Sequence, residues 1–336
     1  MTDDKIMVSI CCTTYNHEKY IAKTIEGFIS QQTNFKYEII IHDDASMDRT
    51  QEIIKEYEKK YPDIIHTVFQ KENQYSKGKN IISEFIAQKT KGKYIALCEG
   101  DDYWTDSLKL EKQVKSLESN EDCFFCVHRV AEVDERGINT GVSYPNKNYE
   151  SMKFASDKFL EMSMTYSFQT SSYMFNGEKW REYNRNVPLF RKKCPVGDEA
   201  HILFFANLGP IYYIKDQMSC YRRGVKSSWS QIQNTGNIIK KKCNNVKLMS
   251  ETLMLFDKFS DFRFHEICCK RRAYYLKTAW LLEGNTRNFV KKENKELFNS
   301  FSLIHKIIIF ISMLFPHLSK SIYSKKILNA NKNKGY

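Results

Sequence analysis

The sequence predicts an α/β fold, a mostly parallel sheet flanked by helices, followed by a basic helical extension at the C-terminus. Short apolar runs rich in β-branched residues alternate with amphipathic stretches over the first hundred residues, as in parallel βαβ units covered on both faces. Two of these runs end directly in acidic residues. Basic residues concentrate at the other end, where residues 231–336 hold 20 lysines and arginines against 7 aspartates and glutamates.

The elements of this sheet follow from local patterns. Strands are predicted where β-branched and apolar residues run together, and helices where apolar residues recur at the spacing of one buried face. Ser46 or Asp48 can cap the second helix. The predicted strands cover residues 7–12, 37–42, 64–69, 93–98 and 211–214, and the helical stripes cover 21–29, 53–57 and 81–86.

Composition excludes several classes of protein. The chain has 336 residues, of which 42% are apolar and 14% aromatic, which excludes a disordered chain. Its ten cysteines are scattered, several within apolar strands, so we expect reduced, structural thiols. A zinc site at Cys123, Cys126 and His128 is the alternative, although no second cysteine pair stands at zinc-finger spacing. The polar, acidic N-terminus does not have the pattern of a secretory signal, and we expect a cytoplasmic protein.

The basic C-terminal third indicates a local electrostatic role. The remaining chain is nearly neutral, so we expect an anionic membrane surface rather than nucleic acid as its partner. The run 303–315 is too short for a confident transmembrane span and is followed by Lys320, Lys325 and Lys326. An interfacial helix and a packing or dimer helix are both consistent with this pattern. Residues 270–280 could likewise form a basic, aromatic helix at a membrane surface.

The most informative stretch follows the fourth predicted strand. Glu99, Asp101 and Asp102 are three carboxylates within four residues, and oxygen ligands of this kind suit Mg²⁺ or Mn²⁺. Asp43 and Asp44 follow the second strand, and carboxyl ends of parallel strands share one sheet edge, where open α/β sheets bind ligands. The structural alternatives are an acidic turn before a helix for the first cluster and a hydrogen-bonded turn for the second.

Three ordered motifs carry a family resemblance. The first covers residues 8–16 and includes Thr13, Tyr15 and Asn16. The second covers residues 39–50 and includes the Asp43–Asp44 pair, and the third runs from Glu99 to Trp104. Together they resemble the successive motifs of glycosyltransferase family 2, which implies a GT-A fold with an Asp-x-Asp metal motif. On that resemblance, residues 1–235 form the transferase domain, with a nucleotide-binding half at 6–104 and an acceptor half at 105–235. Residues 236–336 form the basic helical region.

The resemblance also implies roles for individual residues. Thr13, Tyr15, Asp43 and Asp44 would hold the nucleoside of a nucleotide-sugar, and Glu99 would face its ribose. Asp101 would ligate the Mn²⁺ or Mg²⁺ that bridges the two phosphates, with Asp102 supporting it. Glu99 departs from the family pattern, which has aspartate at this position.

Two later segments complete the expected site. Gly197–Asp198 resembles the family motif whose aspartate is the catalytic base, so Asp198 is assigned that role with Glu199 as second choice. Acids that merely complement the helix dipole are the alternative. The segment 218–230 retains Tyr221, Arg222, Trp229 and Ser230 of a family loop. Arg222, with two neighbouring basic residues, is expected to contact the diphosphate, and a solvated basic loop is the alternative.

The sequence thus predicts a metal-dependent inverting glycosyltransferase. The resemblance implies transfer from a nucleotide-sugar, by family habit a UDP-sugar, to a hydroxyl of a glycan or lipid-linked acceptor in surface polysaccharide biosynthesis. A sugar nucleotidyltransferase is one alternative, but it needs a glycine-rich loop after the first strand, where this chain has no glycine before Gly27. A non-catalytic protein that binds a nucleotide-sugar is the other.

Overall fold

The computed structural model describes residues 5–163, 168–226 and 228–332. The chain divides into two compact units. Residues 1–187 and 204–227 form the first, which we call the sheet unit, and residues 188–203 and 228–336 form the second, which we call the helical unit.

The described part of the sheet unit contains one mixed sheet of ten strands in the order β3-β2-β1-β4-β9-β6-β10-β5, with β7 beside β6 and β8 beside β10. Pairing is parallel among β3, β2, β1 and β4 and between β6 and β10, and antiparallel elsewhere. The strands are β1 Val8–Thr14, β2 Tyr37–Asp43, β3 Ile65–Phe69, β4 Tyr94–Glu99, β5 Tyr103–Trp104, β6 Phe125–Val133, β7 Asn139–Tyr144, β8 Met152–Phe154, β9 Met174–Asn176 and β10 Ile211–Arg222.

Helices cover the central strands, as the apolar stripes predict. The helices that precede β10 are α1 Ile21–Ile29, α2 Thr50–Lys60, α3 Lys109–Glu118, α4 Ser156–Ser163, α5 Gly177–Arg185, α6 Leu189–Lys193 and α7 Gly197–Leu208, of which α6 and the part of α7 up to residue 203 belong to the helical unit. Phe28 of α1 packs against Trp104 with ring centroids 4.7 Å apart. The third predicted helix is irregular, a π-helical turn at Ile82–Ile86 followed by a 3₁₀ turn at Ala87–Lys89.

The helical unit contains the predicted C-terminal helices. They are α8 Trp229–Gln233, α9 Ile238–Phe259, α10 His265–Glu283, α11 Lys295–Asn299, α12 Leu303–Leu314 and α13 Pro316–Lys332, with 3₁₀ turns at Thr286–Val290 and Lys292–Asn294. Trp280 of α10, Phe289 of the first 3₁₀ turn and Ile309 of α12 belong to a shared apolar cluster, so α12 buries one side against this part of the helical unit. In the described part of the chain, no helix combines the length and apolar character that crossing a bilayer requires.

Candidate active site

Three strand ends meet at one edge of the sheet. In the parallel register Thr14 of β1 stands opposite Asp43 of β2, and Thr13 stands opposite Glu99 of β4. The backbone continues this pairing beyond the strands, because the Asp44 amide donates to the Thr14 carbonyl at 3.0 Å. The acidic residues that follow β2 and β4 therefore lie on both sides of the end of β1.

Asp43 and Asp44 are turned into the protein. Asp43 is fully buried and accepts hydrogen bonds from the amide of Ser46 at 2.9 Å and from its hydroxyl at 2.5 Å. Asp44 accepts from the amides of Gln74 and Tyr75 at 2.8 and 2.9 Å. The Asp43 bonds are those of the hydrogen-bonded turn, whereas the Asp44 bonds reach the segment that follows β3 and tie it to the end of β2. A direct contact between either carboxylate and the donor stays a prediction.

Thr13 and Tyr15 keep partly exposed side chains where the first strand ends. Asn16, which follows them, has a left-handed backbone with φ of 55°, and its side-chain oxygen accepts from the Met47 amide at 2.8 Å. This contact joins the loop after β1 to the loop after β2. Thr13, near the end of β1, and Tyr15, just after it, thus lie at the edge where the acids converge.

Asp102 is hydrogen-bonded to the last residue of β10. The carboxylate of Asp102 is buried and accepts from the backbone amide of Arg222 at 2.8 Å. Burial, and then the neighbouring charges of Asp101 and Glu99, raise the pKa of Asp102 well above its usual range. This hydrogen bond joins the acidic turn to β10, and the support that Asp102 would give to a metal ligand stays a prediction.

Arg222 lies in a strand and not in a loop, because β10 is longer than the predicted strand and ends at this residue. The expectation of a loop beginning before Arg222 is therefore wrong. The guanidinium is buried: Nε donates to the Asp101 carbonyl at 2.9 Å, and an NH1 hydrogen bond reaches the Glu135 carbonyl at 3.1 Å. Its carbon lies 4.7 Å from the Tyr20 ring centroid, in a cation–π arrangement. These contacts make Arg222 a positioning residue for the turn at Asp101.

The structure describes only part of the predicted basic loop beyond Arg222. Arg223 follows β10 and lies 3.3 Å from Glu132, and Lys226 is exposed. Ser227 and the side chains of Trp229 and Ser230 lie outside the described residues.

Asp101 differs from its acidic neighbours in the hydrogen bonding of its carboxylate. Its side chain is 10% exposed, and among the described residues that carboxylate accepts no hydrogen bond. His17 Nε2 lies 3.9 Å from Asp101 Oδ2. Sequence analysis did not select His17, and its place directly after the Thr13–Asn16 motif is the signal that could have identified it. Asp101 therefore keeps lone pairs available for a cation.

Gly100 brings this acidic turn against the first strand. A Cβ at position 100 would lie 2.7 Å from both Cβ and Oγ1 of Thr14, and 3.0 Å from His17 Nδ1. In the part of the chain that the structure describes, Thr14 Oγ1 and His17 Nδ1 are buried without hydrogen-bond partners. Carboxylate oxygens beside unpartnered polar atoms are a suitable environment for Mg²⁺ or Mn²⁺. The residues present thus fit the metal that the resemblance implies.

Asp198 lies in the first turn of α7. It is partly buried, and its Oδ1 accepts from the Glu199 amide at 2.9 Å. Burial, followed by the charge of Glu199, raises the pKa of Asp198 to about 6. The carboxylate is consequently ionised near neutral pH while remaining a stronger base than an exposed aspartate.

Glu199, the second choice for the base, has a different partner. It forms an ion pair with Arg271 of α10, whose guanidinium is buried. The interpretation of residues 270–280 as a membrane-facing basic surface is therefore wrong for Arg271, since it is 2% exposed and bound to Glu199. His201, one turn further along α7, hydrogen-bonds the Gly197 carbonyl through Nδ1 at 2.9 Å. Asp198 is the acid of this turn without such an ion pair among the described residues.

Comparison with known proteins agrees with this geometry. The family model described as Glycosyl transferase family 2 matches residues 9–179. The uncharacterized protein Mb1547 of Mycobacterium bovis is 32% identical over 226 residues, which is 66% of this chain and 60% of that protein. The chain thus spans about 60% of the length of that curated relative.

Two further proteins relate the chain to characterised transferases. Escherichia coli WfaP, described as UDP-Glc:alpha-D-GlcNAc-diphosphoundecaprenol beta-1,3-glucosyltransferase, is 34% identical over 148 residues, 44% of this chain and 55% of WfaP. The crystal structure of S. aureus TarS 1-349 in complex with UDP-GlcNAc superposes with a TM-score of 0.61 at 13% identity, covering 98% of this chain and 92% of that one. The fold is therefore of the GT-A type. With its family match spanning half of its residues, the chain belongs to glycosyl transferase family 2.

Proposed function

We propose that this protein is a metal-dependent inverting glycosyltransferase. The donor is a nucleotide-sugar, specifically a UDP-sugar. The enzyme transfers its sugar to a hydroxyl of a glycan or lipid-linked acceptor in surface polysaccharide biosynthesis. The observation that carries the proposal is the Asp101 carboxylate, which remains available at the sheet edge while Asp43, Asp44 and Asp102 hold the surrounding turns. Family membership, the UDP-Glc in the description of WfaP and the UDP-GlcNAc bound to TarS support the choice of a UDP-sugar.

The residues around β1 divide the work of holding the donor. Asp101, with Glu99 beside it, would hold Mn²⁺ or Mg²⁺, and Thr13 and Tyr15 would contact the nucleoside. When bound, the divalent ion stabilises the negative charge that develops on the departing diphosphate. Arg222 does not contact the donor in this proposal; its guanidinium holds the backbone of the acidic turn through the Asp101 carbonyl.

Asp198 acts as the base in this proposal. Its carboxylate takes the proton of the acceptor hydroxyl as that oxygen attacks the anomeric carbon of the sugar. The bond from the anomeric carbon to the phosphate oxygen breaks on the opposite face, and its electron pair leaves with the nucleoside diphosphate. A single displacement of this kind inverts the anomeric centre. The ion pair with Arg271 occupies Glu199 and favours Asp198 over its neighbour.

A membrane surface is the proposed location of the acceptor. Six large apolar side chains of α12 are each more than half exposed: Leu303, Ile304, Ile307, Phe310, Ile311 and Leu314. Exposed lysines follow on α13 at positions 320, 325 and 326. An apolar helix face beside lysines matches a lipid surface with anionic headgroups. We propose that the protein acts in the cytoplasm, peripherally bound to the inner face of the cell membrane, where a lipid-linked acceptor is reached.

A transfer assay tests the catalytic proposal. Purified protein with Mn²⁺ is given a panel of UDP-sugars and polyprenyl-diphosphate glycan acceptors, and the anomeric configuration of the product is read by NMR. We expect a glycoside with the configuration opposite to that of the donor, formed only with metal present. Retention of configuration, or equal transfer after chelation, would contradict the proposed mechanism.

A further inference from the structure

A second cluster of ligand-type side chains lies in the helical unit, separate from the residues assigned to the donor. His265 begins α10, Cys269 follows one turn later on the same face, and Glu296 belongs to α11. His265 Nε2, Cys269 Sγ and a Glu296 carboxylate oxygen all lie within 4.8 Å of one another. The individual separations are 3.6 Å from Nε2 to Sγ and 2.6 Å from Nε2 to Oε1.

A fourth residue orients the histidine. Asp257, in the last turns of α9, is buried, and its Oδ2 lies 2.7 Å from His265 Nδ1. With Nδ1 as the donor in this hydrogen bond, the Nε2 lone pair is directed toward Cys269 and Glu296. Histidine ligands of metals commonly donate their second nitrogen to a carboxylate in this way, which fixes the tautomer and the ring orientation.

The charge and exposure of the cluster suit a divalent cation. With Cys269 as thiolate, the cluster holds three anionic groups, those of Cys269, Glu296 and Asp257. Burial, followed by Glu296, raises the pKa of the Cys269 thiol to about 11, so a metal has to displace that proton. Cys269 is buried and Glu296 exposed, which leaves one side of the cluster open to solvent.

We propose that His265, Cys269 and Glu296 form a zinc site, with Asp257 orienting the histidine and water as the fourth ligand. Nitrogen, sulfur and oxygen donors together favour Zn²⁺ over Mg²⁺ or Mn²⁺. Tetrahedral Zn–N and Zn–S bonds place the two donors about 3.5 Å apart, which the 3.6 Å separation matches. The exposed Glu296 side chain moves back by roughly half an ångström or more to admit the ion. Bound zinc would clamp the end of α9, the start of α10 and α11 together.

Without zinc, the same contacts are those of a protonated His265 between the carboxylates of Asp257 and Glu296. This arrangement needs neither the Cys269 thiolate nor a cation, so the two possibilities make different predictions for Cys269. The neighbouring Cys268 offers a matched control, because it lies on the same helix and is equally buried but is not one of the three donors.

Zinc and cobalt titrations decide between them. Full-length protein carrying Asp101→Asn, which removes the donor-site ligand, is stripped with a chelator and titrated with Co²⁺, followed by Zn²⁺ in competition with a chromophoric chelator. We expect one tight site per chain and a thiolate-to-cobalt absorption band. Cys269→Ser should abolish the band and weaken zinc binding at least a hundredfold, and Glu296→Gln should weaken it about tenfold or more.

The control variant Cys268→Ser should retain the band and an affinity within about threefold of the parent. Circular dichroism confirms that each variant is folded, and Glu296→Gln, at an exposed position, keeps the test valid if Cys269→Ser does not fold. A folded parent protein that binds no zinc, or equal zinc binding by the Cys269→Ser, Glu296→Gln and Cys268→Ser variants, would overturn the proposal. Nucleotide binding by protein with the native Asp101 is scored separately, so failure of the zinc site leaves the donor site untouched.

Discussion

Replacing Arg222 by lysine tests whether this residue positions the acidic turn. Lysine keeps the positive charge but loses the fork that reaches two backbone carbonyls, those of Asp101 at 2.9 Å and Glu135 at 3.1 Å. A single ammonium on a flexible stem can retain one of these contacts. The backbone bond from position 222 to Asp102 Oδ1 is not altered by the substitution. The change therefore isolates the guanidinium.

The expected loss follows from these contacts. A hydrogen bond from a charged donor contributes about 1.5–3 kcal/mol, so losing one of the two lowers the free energy of unfolding by roughly that amount. For a unit of about 200 residues, each kcal/mol corresponds to a shift of about 2–4 °C in the unfolding midpoint, which gives a decrease of roughly 3–12 °C. If about half of the lost energy held the Asp101 turn in its binding geometry, metal-dependent UDP affinity falls by a factor of about 3–10.

Differential scanning calorimetry and isothermal titration with UDP and Mn²⁺ measure the two effects. Arg223→Lys is the matched control: its guanidinium lies 3.3 Å from Glu132, and lysine preserves that ion pair. We expect it to lower stability less than Arg222→Lys does, because the ion pair is kept, and to leave UDP affinity unchanged. If Arg222→Lys behaved like this control, the positioning role would be refuted. A lower midpoint with unchanged affinity would restrict Arg222 to a structural role.

Three further changes test other parts of the account. Gly100→Ala places a Cβ 2.7 Å from Thr14 and should cost about 1–3 kcal/mol of stability together with metal-dependent UDP affinity, as measured by melting and titration. Asp198→Asn should reduce kcat by a factor of about 10²–10⁴ and leave UDP binding within twofold. In the wild type, the rate should decline as the pH falls below about 6, because the raised pKa leaves Asp198 protonated there. Combined Ile304→Gln and Ile307→Gln should weaken sedimentation with anionic vesicles at least tenfold, whereas unchanged sedimentation, or self-association that these changes abolish, would favour a dimer face.

Much of the sheet could be predicted from sequence because its signals are local. The runs that became β1, β2 and β4 are apolar on both faces, as expected of central parallel strands, and their buried positions agree. Convergence of the acids followed from the same argument, since parallel strands end at one edge. The mixed half of the sheet was less accessible, because β9 is only three residues long and its position between β4 and β6 depends on distant pairing.

The distribution of roles among the acids could not be predicted from sequence. Asp43, Asp44, Asp101 and Asp102 have the same chemistry, and only the three-dimensional contacts show that three of them accept hydrogen bonds from the protein while Asp101 accepts none among the described residues. The family resemblance placed Arg222 in a loop, and the predicted strand ended at residue 214, because the bulged pairing of β10 with β6 interrupts the alternation that marks a strand. The pairing of Arg271 with Glu199 joins residues 72 positions apart, and no local pattern encodes it.

The most direct test of the central claim is calorimetric titration of UDP into the protein with and without Mn²⁺, using the wild type, Asp101→Asn and Asp106→Asn. Asp106 is a suitable control because its carboxylate is paired with Lys112 at 2.7 Å. We predict UDP binding that requires Mn²⁺, is retained in Asp106→Asn and is lost in Asp101→Asn. Binding that is independent of metal, or that survives in Asp101→Asn, would contradict the assignment of Asp101 as the metal ligand of a nucleotide-sugar site.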